Sequence, residues 1–202
     1  MSNVSKIRIS DLKKSTFFSS FEIKYTEDNK KKKWHFVQFI DNVAVIIFNT
    51  TRKKLVFVKQ FRPTLYAQNI PRNEWRHIDV KKHPPEIGFS LEFCAGIVDK
   101  KMPVEQIAKF EVLEETGYDV PVERLQKVKV LRSTGTAVYD VHLFYVEVDD
   151  SMRVGKGTGI EDESINVVEL SLTEAESIMN NDSAIHHFAF IFGLMWFFGN
   201  KL

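Results

Sequence analysis

Val43-Ala44-Val45-Ile46-Ile47-Phe48 is an unbroken apolar run. A strand with apolar side chains on both faces has nothing to offer water, so it belongs inside a sheet that is covered on both sides. Asn49-Thr50-Thr51-Arg52 ends the run and Leu55-Val56-Phe57-Val58-Lys59-Gln60-Phe61 follows, which predicts a hairpin of largely buried strands. Further strands are expected over residues 91–95, 127–131, 141–148 and 165–170. Helices are expected over 104–116, stopped by Gly117, and over 173–179 and 185–198. Strands with interspersed helices but no strict βαβ alternation imply a mixed sheet, α/β and α+β-like. Residues 67–88 lack a period and contain Pro71, Pro84 and Pro85, so they read as a long loop, a feature often tied to function. Ahead of the core, Phe21, Ile23 and Tyr25 alternate with polar residues, Asp28-Asn29-Lys30 offers a turn, and Trp34, Phe36 and Gln38 resume the alternation. This predicts an antiparallel hairpin with a solvated basic tip at residues 30–33. The expected division is an N-terminal hairpin over 1–39 and a larger domain over 40–202.

Twenty-eight basic residues against twenty-seven acidic ones leave a net charge of +1, which gives no global field for holding nucleic acid or an anionic membrane. An apolar content of 44% excludes a disordered chain, and 202 residues bury enough surface to fold without disulfides or a structural metal. The single cysteine, Cys94, excludes a disulfide framework and a thiolate-built zinc site, and suits a reducing compartment. The N-terminus has no apolar leader, and the longest apolar stretch, 188–198, would span about 16 Å as a helix, half of a bilayer core. A cytoplasmic protein without membrane or nucleic-acid partners is expected. His186 and His187 read as helix-start residues.

The chemistry is concentrated in 96–118. Glu111, Glu114 and Glu115 stand at i, i+3 and i+4, one stripe of a helix, where like charges repel. At about 100° per residue the solvent-loving positions Glu105, Lys109 and Thr116 share one arc, and the stripe lies roughly 140° from its centre. Flanked by Val104, Ile107 and Ala108, the carboxylates are expected to face the protein or a cleft. Carboxylates so placed need compensation, and a hard divalent cation such as Mg²⁺ is the natural one where phosphate is the substrate.

Gly96, Glu111, Val112, Glu114, Glu115, Gly117 and Tyr118 fall in register with the box G-x5-E-x7-R-E-U-x-E-E-x-G-U, and the chain thereby resembles the Nudix hydrolases. Met102 stands at the position of the box's first glutamate and Phe110 at that of its arginine, a residue that helps orient the carboxylates. Phe48-Asn49, residues 58–63, residues 92–96 and residues 191–197 resemble the branch that hydrolyses ADP-ribose and nucleoside diphosphate sugars. The resemblance implies a Nudix α/β/α sandwich with an N-terminal antiparallel β appendage, and a homodimer joined through the N-terminal strands. It implies divalent ions, Mg²⁺ or Mn²⁺, on Glu111, Glu115 and the Ala95 carbonyl, with Glu114 as a further ligand or support. The general base falls on the acidic loop before a late strand, Glu161 first and Glu163 second. Arg62 is implied as a phosphate contact; Trp34, as a base-stacking ring, and Tyr139 are weaker substrate candidates. The implied reaction splits UDP-glucose into UMP and glucose 1-phosphate. The alternatives are ADP-ribose giving AMP and ribose 5-phosphate, and a non-catalytic nucleotide-sugar-binding protein. The retained glutamates count against the last, since a sensor has no need of charge repulsion on a helix.

Overall fold

The computed structural model describes Val4, residues 7–157, Gly159, residues 164–181 and residues 186–201. β3 (Asn42–Asn49) and β4 (Lys54–Phe61) form the expected hairpin, paired antiparallel at its closed end by Ile47↔Val56 and Phe48↔Leu55. β3 also runs parallel to β9 (Asp140–Val148) along its whole length, and β7 (Gln126–Arg132) adds antiparallel to β9. β10 (Asn166–Ser171) closes the other side against β4, so the main path of the sheet is β10-β4-β3-β9-β7.

Successive side chains of the central strands go to opposite faces. Val43, Val45, Ile47 and Val56 pack with Ile107 and Ala108 of α2 (Val104–Glu111). Ala44, Ile46, Leu55 and Phe57 pack with Ala175 of α3 (Leu172–Met179) and with Phe190, Leu194 and Phe197 of α4 (Phe188–Asn200). The result is a mixed sheet between helices, the α/β/α sandwich that an all-apolar β3 requires. α3 starts with a capping box in which Ser171 and Glu174 each bond the other's backbone N–H.

Three expectations are corrected. Residues 91–95 are two strands, β5 (Phe89–Glu92) on β4 and β6 (Cys94–Ile97) on β3. β3 and β4 pair only near their turn and splay apart beyond it, so the chain crosses from one to the other at Phe93, which is buried against Phe57 and Phe190. The loop at 67–88 is less open than expected: α1 (Pro63–Gln68) runs into it, and the buried Tyr66 fixes its far side by donating to the His83 carbonyl at 2.7 Å. The helix over 104–116 changes type after Glu111.

β1 (Phe18–Glu27) and β2 (Lys30–Phe39) form the N-terminal hairpin, in the register Phe21↔Phe36 and Ile23↔Trp34. Asp28 and Asn29 both adopt positive φ, 49° and 61°, the turn geometry that suits the twist of a two-residue hairpin loop. β8 (Ala137–Val138) joins β2 in parallel, which makes this a separate three-stranded sheet.

Candidate functional site

α2 brings the acidic stripe onto the splayed end of the large sheet. Beyond Glu111 the helix widens into a π-turn (Val112–Thr116), and Gly117 ends it at φ 77°. The wider turn rotates each residue by less than an α-helix does, so a 100° wheel fails there. Thr116, expected on the solvent arc, is fully buried, and its hydroxyl donates to the Val112 carbonyl. The same widening turns Glu115 inward to 3% exposure, while Glu111 and Glu114 are half-buried.

The carboxylates meet the strand at Ala95 and Gly96. Glu115 Oε2 accepts the Ala95 N–H at 2.9 Å, which satisfies one oxygen of a buried charge. Glu111 lies directly across the backbone of Gly96: a Cβ there would stand 2.0 Å from its carboxyl carbon. Beneath them, burial pushes the Cys94 thiol well up, and Glu115, Glu111 and Glu114 all push it in the same direction. Their oxygens are the hard donors that Mg²⁺ takes. Among the described residues no three His, Cys, Asp or Glu side chains close into a metal cage. Mg²⁺ is commonly held by one or two carboxylates, with waters and substrate phosphate completing the shell, so this donor set fits it.

The other candidates stand elsewhere in the fold. Arg62 stands between β4 and α1, and its Nε donates to Glu92 Oε1 at 2.8 Å. Burial raises the Glu92 carboxyl, but the Arg62 guanidinium, helped by Ser90 and Gln60, more than offsets this and holds it below its ordinary value. Tyr139 packs edge-on against Phe39 of the hairpin, and its oxygen is 3.0 Å from His187 Nε2. His187 caps α4 as its sequence position suggests: Nδ1 accepts the Ala189 N–H at 3.3 Å, so the neutral ring carries its proton on Nε2 and donates it to Tyr139. Trp34 is 56% exposed and belongs to the small sheet, not to the one that carries the carboxylates. Glu161 and Glu163 lie outside the described residues.

No known family model matches the chain. Individual relatives do. A uridine diphosphate glucose pyrophosphatase of Mus musculus, NUDT14, is 31% identical over 198 residues, covering 91% of this chain and 89% of that protein. The NUDT14 of Bos taurus is 29% identical over 212 residues, 98% and 96% of the two chains. A GDP-mannose pyrophosphatase of Pectobacterium atrosepticum is 32% identical over 165 residues, 78% and 77% of the two. The chain belongs to the Nudix hydrolase family.

Within that family its box is altered at two places, both at the surface. Met102 and Phe110 are each 36% exposed. A cation remains nearby, since the Lys100 ammonium lies 6.0 Å over the Phe110 ring. Some supporting residues of this Nudix site were not anticipated from the sequence. Glu92 gave no signal beyond its place in a motif, because its burial follows from the crossing at Phe93. Gly155, Gly157 and Gly159 precede the acidic loop, and no local signal marks them as a support. No helix among the described residues is long and apolar enough to cross a membrane.

Proposed function

We propose that this Nudix hydrolase splits the diphosphate bond of UDP-glucose to give UMP and glucose 1-phosphate, using Mg²⁺ or, in its place, Mn²⁺. The observation that carries the reading is the meeting of Glu111 with Gly96 and of Glu115 with Ala95, with Glu114 on the same helical turn. The choice of sugar nucleotide follows the printed activity of the relatives that cover nearly the whole chain. Glu111, Glu115 and the Ala95 carbonyl are the proposed ligands, with Glu114 beside them. A metal bound there supplies charge neutralisation for the diphosphate and acidifies water.

The protein's own groups position and deprotonate. Glu161 is the proposed base, with Glu163 as its neighbour. Gly159, two positions earlier, donates its N–H to the Glu114 carbonyl. Arg62, held flat by Glu92, is the proposed phosphate contact; Tyr139 and Trp34 are proposed contacts for the rest of the nucleotide. The hairpin is the proposed dimer contact, supported by its exposed Phe21, Ile23, Tyr25 and Trp34. The cytoplasm is the proposed compartment, supported by the lone thiol buried in reduced form.

The test is a panel of UDP-glucose, GDP-mannose and ADP-ribose, each with Mg²⁺ and with a chelator, the products being resolved by phosphorus NMR. UDP-glucose should give the highest kcat/KM, with UMP and glucose 1-phosphate as the only products. Faster cleavage of ADP-ribose or GDP-mannose would overturn the substrate assignment. Turnover that survives the chelator would overturn the metal.

A further inference from the structure

The chain that follows β9 runs back along the end of the acidic helix. Asp119 N–H donates to the Met152 carbonyl at 2.9 Å, and Tyr118 and Arg153 form an antiparallel bridge. Val154 and Gly155 N–H both reach the Gly117 carbonyl, at 2.9 and 3.2 Å, and Gly159 N–H reaches that of Glu114 at 3.1 Å. Two backbones thus touch from Asp119 back to Glu114, and glycine stands at each of the closest approaches. A Cβ on Gly117 would stand 2.2 Å from the Gly155 oxygen. One on Gly157 would stand 2.3 Å from the Glu115 oxygen and 2.4 Å from the Thr116 carbonyl carbon. Gly157 and Gly159 have φ of 67° and 76°, values that a β-branched residue hardly ever adopts.

This strap is braced from its far side. Arg153 donates through Nε to the Gly155 carbonyl at 3.3 Å and through Nη2 to that of Lys156 at 3.4 Å, and its guanidinium lies 5.7 Å over the Tyr118 ring. Its Nη1 reaches Glu169 on β10 at 3.4 Å. The fully buried Asn49 at the end of β3 divides its amide between the Tyr118 hydroxyl and Asp150, each at 2.9 Å. The strap is therefore tied to two strands of the large sheet before it meets the helix.

A π-turn at a helix end leaves backbone carbonyls outside the regular ladder, and the strap supplies the donor for the one on Glu114. We infer that residues 152–157 with Gly159 are a positioning element for Glu114 and Glu115, setting the widened turn on which both stand and, with it, the Glu115 carboxylate at Ala95. The inference rests on the reading of those carboxylates as metal ligands. Residues that orient ligands from outside the coordination shell typically change metal affinity by 10- to 100-fold.

The test is Mn²⁺ titrated into the substrate-free protein and followed by electron paramagnetic resonance. Four variants join the wild type: Gly157→Ala, Gly159→Val, Gly159→Asn and Glu115→Gln. Gly199→Ala, where a Cβ meets nothing within 4 Å, is the control. Gly157→Ala and Gly159→Val should weaken Mn²⁺ binding about tenfold or more. Gly159→Asn, which tolerates positive φ, should stay near wild type. Glu115→Gln should lose most of the binding. If Gly157→Ala proves unfolded by circular dichroism, the Gly159 pair carries the test alone. Wild-type affinity in folded Gly157→Ala and Gly159→Val, with binding lost in Glu115→Gln, would overturn the strap and leave the ligands standing. Wild-type affinity in Glu115→Gln would overturn the ligand reading and the strap together.

Discussion

Gly96 accommodates a hydrogen and nothing larger, because the Glu111 carboxyl occupies the place of its missing side chain. The obstruction is the end of a flexible side chain, so Gly96→Ala should fold with a melting temperature within a few degrees of wild type. Glu111 must then move. Displacement of a reacting group by about 1 Å can cost about 10²-fold, and kcat should fall by about that factor with KM nearly unchanged. A wild-type kcat would remove Glu111 from the site. The base calls for a different comparison. General bases typically contribute about 10²- to 10⁴-fold, so Glu161→Gln should lower kcat within that range while substrate affinity holds. A large loss in Glu163→Gln with little in Glu161→Gln would exchange the two roles.

Among the elements, the acidic helix shows what a sequence discloses and what it withholds. The carboxylate stripe, its inward direction and the stop at Gly117 follow from spacing and composition alone. The π-turn does not, because it depends on the strap pressing Gly157 against Glu115 and Thr116 from some forty residues further along the chain. Thr116 was misplaced for that reason. The crossing at Phe93 was hidden in the same way: the five residues 91–95 read as one strand until β3 and β4 are seen to part. The N-terminal hairpin was fully legible, since alternation and an Asp-Asn turn are local signals. Its outward aromatics predict its fate in isolation from the rest. An isolated hairpin is marginal in water, and Phe21 and Phe36 stack at 5.2 Å on strands that are largely exposed. If the hairpin is the dimer contact, deletion of residues 1–38 should give a monomer or an aggregate. A deleted protein that stays dimeric by light scattering would place the interface elsewhere.

For the molecule as a whole, stability in acid depends on carboxyls held charged. Asp140 beside Arg132, Asp150 beside Asn49, and Glu74 beside Lys82 and His83 are all held below their ordinary values. These are surface pairs of small individual weight. Glu92 differs, with 18% of its side chain exposed and a guanidinium laid along it. A carboxyl whose folded pKa is depressed contributes fully above its unfolded value, near pH 4.3, and the contribution is lost as pH falls through the folded one. Glu92→Gln should therefore lower the melting temperature at pH 7 and flatten its decline between about pH 5 and pH 3. An unchanged slope would show that the Arg62 pair carries none of the acid sensitivity.

Cys94 gives the protein an internal clock. Its thiol is sealed under the helix, and burial together with the charges of Glu115, Glu111 and Glu114 suppresses the thiolate. Only the thiolate reacts with a disulfide reagent, so the folded molecule is inert to one, and every labelling event dates a moment when α2 has lifted from the sheet. At saturating reagent the labelling rate becomes the opening rate itself. It should slow when Mg²⁺ is added, because a cation that joins the carboxylates to the strand has to let go first. Labelling as fast as that of a free thiol in the unperturbed protein would contradict the burial. A rate indifferent to Mg²⁺ would count against a cation that bridges the carboxylates and the strand.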